Sequence, residues 1–182
     1  MLIVAALALL GASGAQAETY TVDRERTAIS YALHLMLAHL RGSFHEYAGT
    51  FEYVPGHPER LSAHLVIQAA SADQQLPRQI YDLARYPTIT FESTHVVTEA
   101  NARRTKLHGM LSIQDRRHPV VFDMLEQEPR RDAAGRLHPR FLGATRISRK
   151  RFGLVGRRAL GFTELLVWDA VDISFQVEGD LR

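Results

Sequence analysis

From Thr27 to Glu178 this chain keeps returning to one pattern, apolar and polar residues in strict alternation, and that pattern limits the fold more than any other feature. Its clearest copy is Pro87-Thr88-Ile89-Thr90-Phe91-Glu92-Ser93. Ile89, Phe91 and Ser93 share one face; Thr88, Thr90 and Glu92 share the other. This is the signature of a strand half-buried on one side. β-Branched and aromatic residues suit such a surface, and Pro87 at the entrance removes no needed ladder donor. Ile29, Tyr31, Leu33 and Leu35 oppose Ala28, Ser30, Ala32 and His34 across 27–37. Residues 44–54 form a second segment, in which Gly49 suggests a bulge or bend. Leu61, Ala63, Leu65 and Ile67 alternate with Ser62, His64 and Gln68. Segments 106–113 and 119–125 flank a hairpin turn at 114–118, and 137–148 alternates about Phe141, Thr145 and Ile147. The last segment sets Val171, Ile173, Phe175 and Val177 against Asp172, Ser174, Gln176 and Glu178.

Between these segments lies turn chemistry: Pro55-Gly56-His57-Pro58, Asn101, and Asp132-Ala133-Ala134-Gly135. Only 73–85 reads as helical, with Pro77 in its first turn and Ile80, Tyr81 and Ala84 as a short apolar face. Pro87 ends it by pushing Tyr86 out of the helical region. The chain is therefore expected to be all-β. About eight antiparallel strands leave a closed barrel or a two-sheet sandwich. A barrel of about eight strands is either filled by its own side chains or left open for one small ligand.

Residues 2–10 are an apolar run, and Ala15-Gln16-Ala17 is a small-x-small site, so residues 1–17 read as a secretory leader cut before Glu18. The run is too short for a membrane span. The expectation is a leader, 1–17, followed by one domain, 18–182, in the periplasm or outside the cell. Removing 17 of 182 residues leaves 165, a single-domain length. The leader carries no charge, so all 22 basic and 20 acidic side chains stay with the domain. A net charge of +2 implies no strong field for nucleic acid. The absence of cysteine excludes thiol catalysis, cysteine metal sites and disulfides, so stability must come from packing.

Six short motifs follow one another in order. They are Tyr20-Thr21-Val22-Asp23; His34-Leu35 with Gly42-Ser43-Phe44; and Tyr86-Pro87 through Phe91-Glu92-Ser93. Then come Gly109-Met110-Leu111-Ser112-Ile113 with Pro119-Val120; Arg149-Lys150-Arg151-Phe152-Gly153; and a closing Val-x-Ile with Glu178. Together, from Tyr20 to Gly179, they resemble the YceI-like family. The resemblance implies an extended lipocalin-like barrel of eight antiparallel strands with one short helix. It also implies an apolar tunnel for a polyisoprenoid lipid, a periplasmic or secreted location, and no defined catalytic reaction. The segment after Ser71 is shorter than the family's, which bears on the tunnel mouth. Tyr31 stands one position from the family's usual aromatic, so the 27–37 strand is expected to carry a bulge or a reversed face.

The expected tunnel wall comprises Ile29, Tyr31, Leu33, Phe44, Phe51, Leu65, Ile67, Ile89, Phe91, Leu111, Ile113, Phe141, Ile147, Phe152, Ile173 and Phe175. A buried methylene contributes about 0.8 kcal/mol, so one isoprene unit gains about 4 kcal/mol. Association costs on the order of 4–15 kcal/mol, so two to four buried units are needed before any headgroup contact helps. Among the basic loop pairs, Arg149 and Arg151 are the candidates for a phosphate headgroup, since guanidinium pairs bidentately with phosphate. These pairs also suit peripheral contact with an anionic membrane. Nine histidines show no His-x-His or His-Glu-x-x-His spacing, and no metal, cofactor or catalytic residue is assigned. Trp168 is expected to plug a barrel end. The function read from the chain is a lipid-binding or carrier protein. Two rivals stand beside it: an enzyme on a small hydrophobic substrate, for which His34 and His95 are the candidate groups, and a filled stress-response module.

Overall fold

The alternating segments become strands with their apolar parity turned inward. The computed structural model describes residues 16–35, 39–73, 81–99, 104–155 and 167–182. Its strands are β1 (Glu18–Val22), β2 (Ala28–Leu35), β3 (His39–Phe44), β4 (Tyr47–Tyr53) and β5 (Ser62–Gln68), then β6 (Thr88–Thr98), β7 (Arg104–Ile113), β8 (Arg116–Arg131), β9 (Leu137–Ser148) and β10 (Val167–Leu181). Pairing runs β1-β4-β5-β6-β7-β8-β9-β10, and β1 closes back on β10, giving an eight-stranded antiparallel barrel. β1 and β2 both lie along β10, with Val22 opposite Gly179 and Ala28 opposite Gln176. β3 and β4 follow one another beside them, so ten segments fill eight positions.

Local details explain several motifs. Ser93 stands where β5 and β6 part, and its hydroxyl accepts the Ala63 N–H at 2.8 Å. Just beyond, between Ser93 and His95, β6 carries a register shift. β2 keeps an unbroken register with β3 and turns Ile29, Tyr31 and Leu33 inward. Gly49 makes no bulge, contrary to expectation: it pairs in register with Leu65, and the break in the 44–54 segment falls at His45-Glu46. The β7–β8 hairpin turns on Gln114, which takes φ 55. Helix among the described residues amounts to the 3-10 turns Pro58–Arg60 and Ala69–Ser71. Most of the expected 73–85 helix, the leader up to residue 15, and the Asn101 turn lie outside the described residues.

Four glycines set the thickness of the wall. Tyr31 lies against Gly42, Phe91 against Gly109, Phe175 against Gly143 and Phe51 against Gly179. In each pair a β-carbon on the glycine would overlap the ring. With no side chain beneath them, three of the rings can lie over the adjacent strand and Phe51 can reach past β1 to β10, instead of standing up across the barrel. They then meet one another around the wall: Phe91 and Phe122 centroids are 5.3 Å apart, as are Phe122 and Phe175. These are favourable tilted and edge-to-face distances.

Glu178 departs from its alternation. Its parity is outward, yet it is 4% exposed. The connection between β1 and β2 crosses β10 here: Asp23 N–H donates to Glu178 O, and Glu178 N–H donates to Thr27 Oγ1. The carboxylate accepts from Arg130 Nε at 2.5 Å, with Arg26 and Arg140 at 3.8 and 3.6 Å. A buried carboxylate needs such partners, because removing them strands a charge.

Two glycine substitutions should separate wall geometry from lumen volume. In Gly143→Ala the three atoms nearest the new β-carbon all belong to the Phe175 ring, which can swing into the barrel. A loss of about 1–3 kcal/mol in urea unfolding is expected. In Gly109→Ala the new β-carbon also meets the Glu92 carbonyl oxygen at 2.6 Å, which no rotamer change relieves. Its loss should be the larger of the two; equal effects would contradict this packing.

Candidate functional site: an apolar cavity along the barrel

The inward residues do not fill the space they enclose. Room for the centre of a water-sized sphere amounts to about 170 Å³. One water needs about 10–15 Å³ by that measure. The lining runs from Val22, Phe51, Leu107, Met124, Phe141 and Val177 at one end to Ile67, Tyr81, Ile113, Ile147, Leu154 and Val171 at the other. From Val171 to Val177 along β10 this is ~20 Å at the usual strand rise. At the first end Phe51 and Tyr53 each meet Phe141 edge-on, at 5.7 and 5.3 Å, forming an aromatic floor.

All the wall residues expected from sequence line this cavity except Phe152. Phe152 is 1% exposed and packs edge-on against His118 at 5.1 Å, outside the lumen. Gly153, at φ 71, reverses the chain just after it, and Leu154 enters the lining instead. Leu107, Phe122, Met124, Val171 and Val177 also line the cavity. Each shares parity with a chosen neighbour on its strand or with the inward face of its hairpin partner, so alternation alone could have found them. Val22, Tyr81 and Leu154 belong to no long alternating segment, and the pattern carried no sign of them.

Polar chemistry inside is sparse. The side-chain hydroxyls of Tyr31 and Tyr81 belong to buried residues. Burial, with a smaller push from the Asp73 charge, raises the Tyr31 phenol to about 12. Burial also raises Tyr81, whose hydroxyl donates to Thr88 O at 3.1 Å. Both are therefore neutral at ordinary pH. Thr50 and His64, a cross-strand pair, complete the polar members of the lining.

The two histidines singled out for an enzymatic reading lie on the outer face. His34 Nε2 is 2.7 Å from Asp172 Oδ2, and its Nδ1 is 3.0 Å from His39 Nδ1. Arg146 Nε donates to the same carboxylate at 2.6 Å. His95 is exposed and stacks on His108 with centroids 4.3 Å apart. Among the described residues no group of three His, Asp or Glu side chains is placed to hold a metal.

The headgroup candidates are placed differently from expectation. Arg149 is 3% exposed, and its guanidinium donates to Trp168 O at 3.1 Å and Leu154 O at 2.9 Å. It ties loop to strand by supplying donors to both carbonyls, of which the bond to Leu154 O is buried. Arg151 is exposed, and its carbonyl accepts from Arg116 and His118. Trp168 plugs nothing: it is 61% exposed.

Comparison with known proteins gives a consistent result. The YceI-like domain matches residues 20–179. A UPF0312 protein of Azotobacter vinelandii is 29% identical, with 94% of this chain and 92% of that protein covered. The crystal structure of Burkholderia cenocepacia BcnA superposes with a TM-score of 0.73 at 23% identity, covering 87% of this chain and 99% of that one. A polyisoprenoid binding domain from Saccharophagus degradans, implicated in plant cell wall breakdown, gives 0.64 at 13% identity, with 90% and 98% covered.

The outer cluster makes a pH prediction. Arg146, then His34, hold the Asp172 carboxyl at about 2, below its ordinary 3.8 and against the opposing effect of burial. A depressed folded pKa stabilises above the unfolded value and is lost as pH falls through the folded one. Asp172→Asn should lower the melting temperature at pH 7 and flatten its decline between about pH 4 and 2. Melting curves across that range check this, and an unchanged acid limb would refute it.

Proposed function

The chain belongs to the YceI-like domain family, and from that premise we propose that it is a periplasmic or secreted carrier that sequesters a polyisoprenoid or similar single-chain lipid. The observation that carries the reading is the unfilled apolar lumen of about 170 Å³ between the strands. The printed description of the Saccharophagus degradans neighbour as a polyisoprenoid binding domain supports the ligand class. The apolar run and the Ala15-Gln16-Ala17 site just before β1 support the location.

The mechanism is transfer of the tail from water into the barrel. Each isoprene unit placed there gains about 4 kcal/mol before association costs. A slender void with few polar groups selects for chain and width, and gives little discrimination between tails of like shape. The tail points to the Phe51–Tyr53–Phe141 floor, and the head stays at the Tyr81–Leu154 end. A binding role accords with the interior chemistry. The two phenols stay protonated, and no carboxylate, lysine or arginine belongs to the lining.

Native mass spectrometry of the protein purified from the cells that make it should show bound lipid, and delipidated protein should take up prenyl alcohols. Ile173→Trp, which adds bulk midway along the lining, should cut that uptake while leaving the melting transition cooperative. Protein that carries no lipid and takes up none would end this reading.

A further inference from the structure

We propose that the Tyr81–Leu154 end of the barrel docks on an anionic membrane surface through Trp168, Val155, Lys150 and Arg151. The purpose of docking rests on the carrier reading; the surface itself does not.

Trp168 is the most exposed of the large apolar side chains among the described residues, at 61%, and Val155 is 42% exposed. Tryptophan pairs an apolar body with one N–H donor and favours the boundary between headgroups and acyl chains. The surroundings are basic. Lys150 and Arg151 are exposed in the loop that follows β9, and Arg116 lies beside them, donating to Arg151 O at 3.3 Å. Asp115 lies 4.0 Å from Arg116, and Asp169 is turned back to the Lys150 N–H at 2.9 Å. Val97, Val121, Leu137 and Leu181 are also exposed, at 39 to 50%, but they lie along strands away from this loop, and each is less exposed than Trp168.

The patch is held in place from below. Arg149 is buried and grips Trp168 O and Leu154 O, while its backbone N–H donates to Asp169 O at 2.7 Å. The indole and Val155 are thus presented on an ordered base. The same loop reaches the lumen, since Leu154 lines the cavity and Val155, one residue on, faces out. A bilayer against this face would receive a tail leaving the barrel without passage through water. Each basic side chain near an anionic surface adds to the attraction, which falls with salt.

Trp168 is the chain's one tryptophan, so its fluorescence reports its own surroundings. The protein is mixed with vesicles of phosphatidylcholine alone and of equal phosphatidylcholine and phosphatidylglycerol. Expected are a blue shift and co-sedimentation with the anionic vesicles only, both reversed by high salt. Lys150→Glu with Arg151→Glu should weaken binding at least about tenfold. Trp168→Ala should also lose co-sedimentation, and Leu181→Ala should keep it. Melting curves confirm that each variant folds, and the parent's spectral response stands as a test without them. No response to either vesicle overturns the proposal, as does binding that ignores both salt and these substitutions. A blue shift that grows with protein concentration in the absence of vesicles would assign the patch to self-association and also overturn it. Prenyl-alcohol uptake is followed in the same samples. Uptake without docking refutes the docking surface alone; docking without uptake refutes the carrier reading alone.

Discussion

The rings that lie on glycines are the constraint from which the rest of the molecule follows. A barrel of about eight strands has an interior that ordinary inward side chains can fill. Here four of the largest inward side chains rest on positions without a β-carbon, so their bulk is spent along the wall. The same contacts bind neighbouring strands to one another across the register, as aromatic cover of a bare glycine does in sheets generally. Wall stability and lumen volume therefore have a common origin. A protein with this inward composition but with alanine at those glycines would be expected to hold its rings upright, and a solid interior would replace the slot.

Electrostatics divides the molecule just as clearly. Ion pairs and histidine contacts lie outside the lumen, from the His34–Asp172–Arg146 group to the Arg130–Glu178 pair. Most of these are exposed enough to contribute little individually. Glu178 differs, being buried under the connection that joins β1 to β2. Keeping charge out of the lumen preserves a medium in which a hydrocarbon has no polar group to desolvate.

How much of this was legible in the residues depended on which rule governed each position. Alternation groups Ile29, Tyr31 and Leu33 on one face of β2 and His34 on the other, and the structure turns the first of these inward. The same parity would expose Glu178, because a two-residue period carries no information about a loop crossing above a strand. Phe152 was misplaced for a related reason: apolar character says that a side chain is buried, and the turn at Gly153 decides where. Arg149 was read as a ligand-facing cation because charge is legible and burial in a loop is not; the carbonyls it serves come from residues 5 and 19 positions away. Trp168 is expected at a barrel end from its packing habit, and the structure leaves it 61% exposed. The strands and most of the cavity wall followed from local alternation, and the ends of the barrel, where long-range contacts rule, did not.

The pairing of β1 with β10 sets Tyr20 opposite Leu181. The ring's closing seam thus joins two stretches separated by nearly the whole sequence, the slowest kind of contact to form. A nascent chain can zip β4 through β9 hairpin by hairpin, yet it remains an open, curled ribbon until β10 arrives. During folding such a ribbon has no finished compartment until the final strand seals the side. The enclosed lumen therefore exists only once the two distant edges meet.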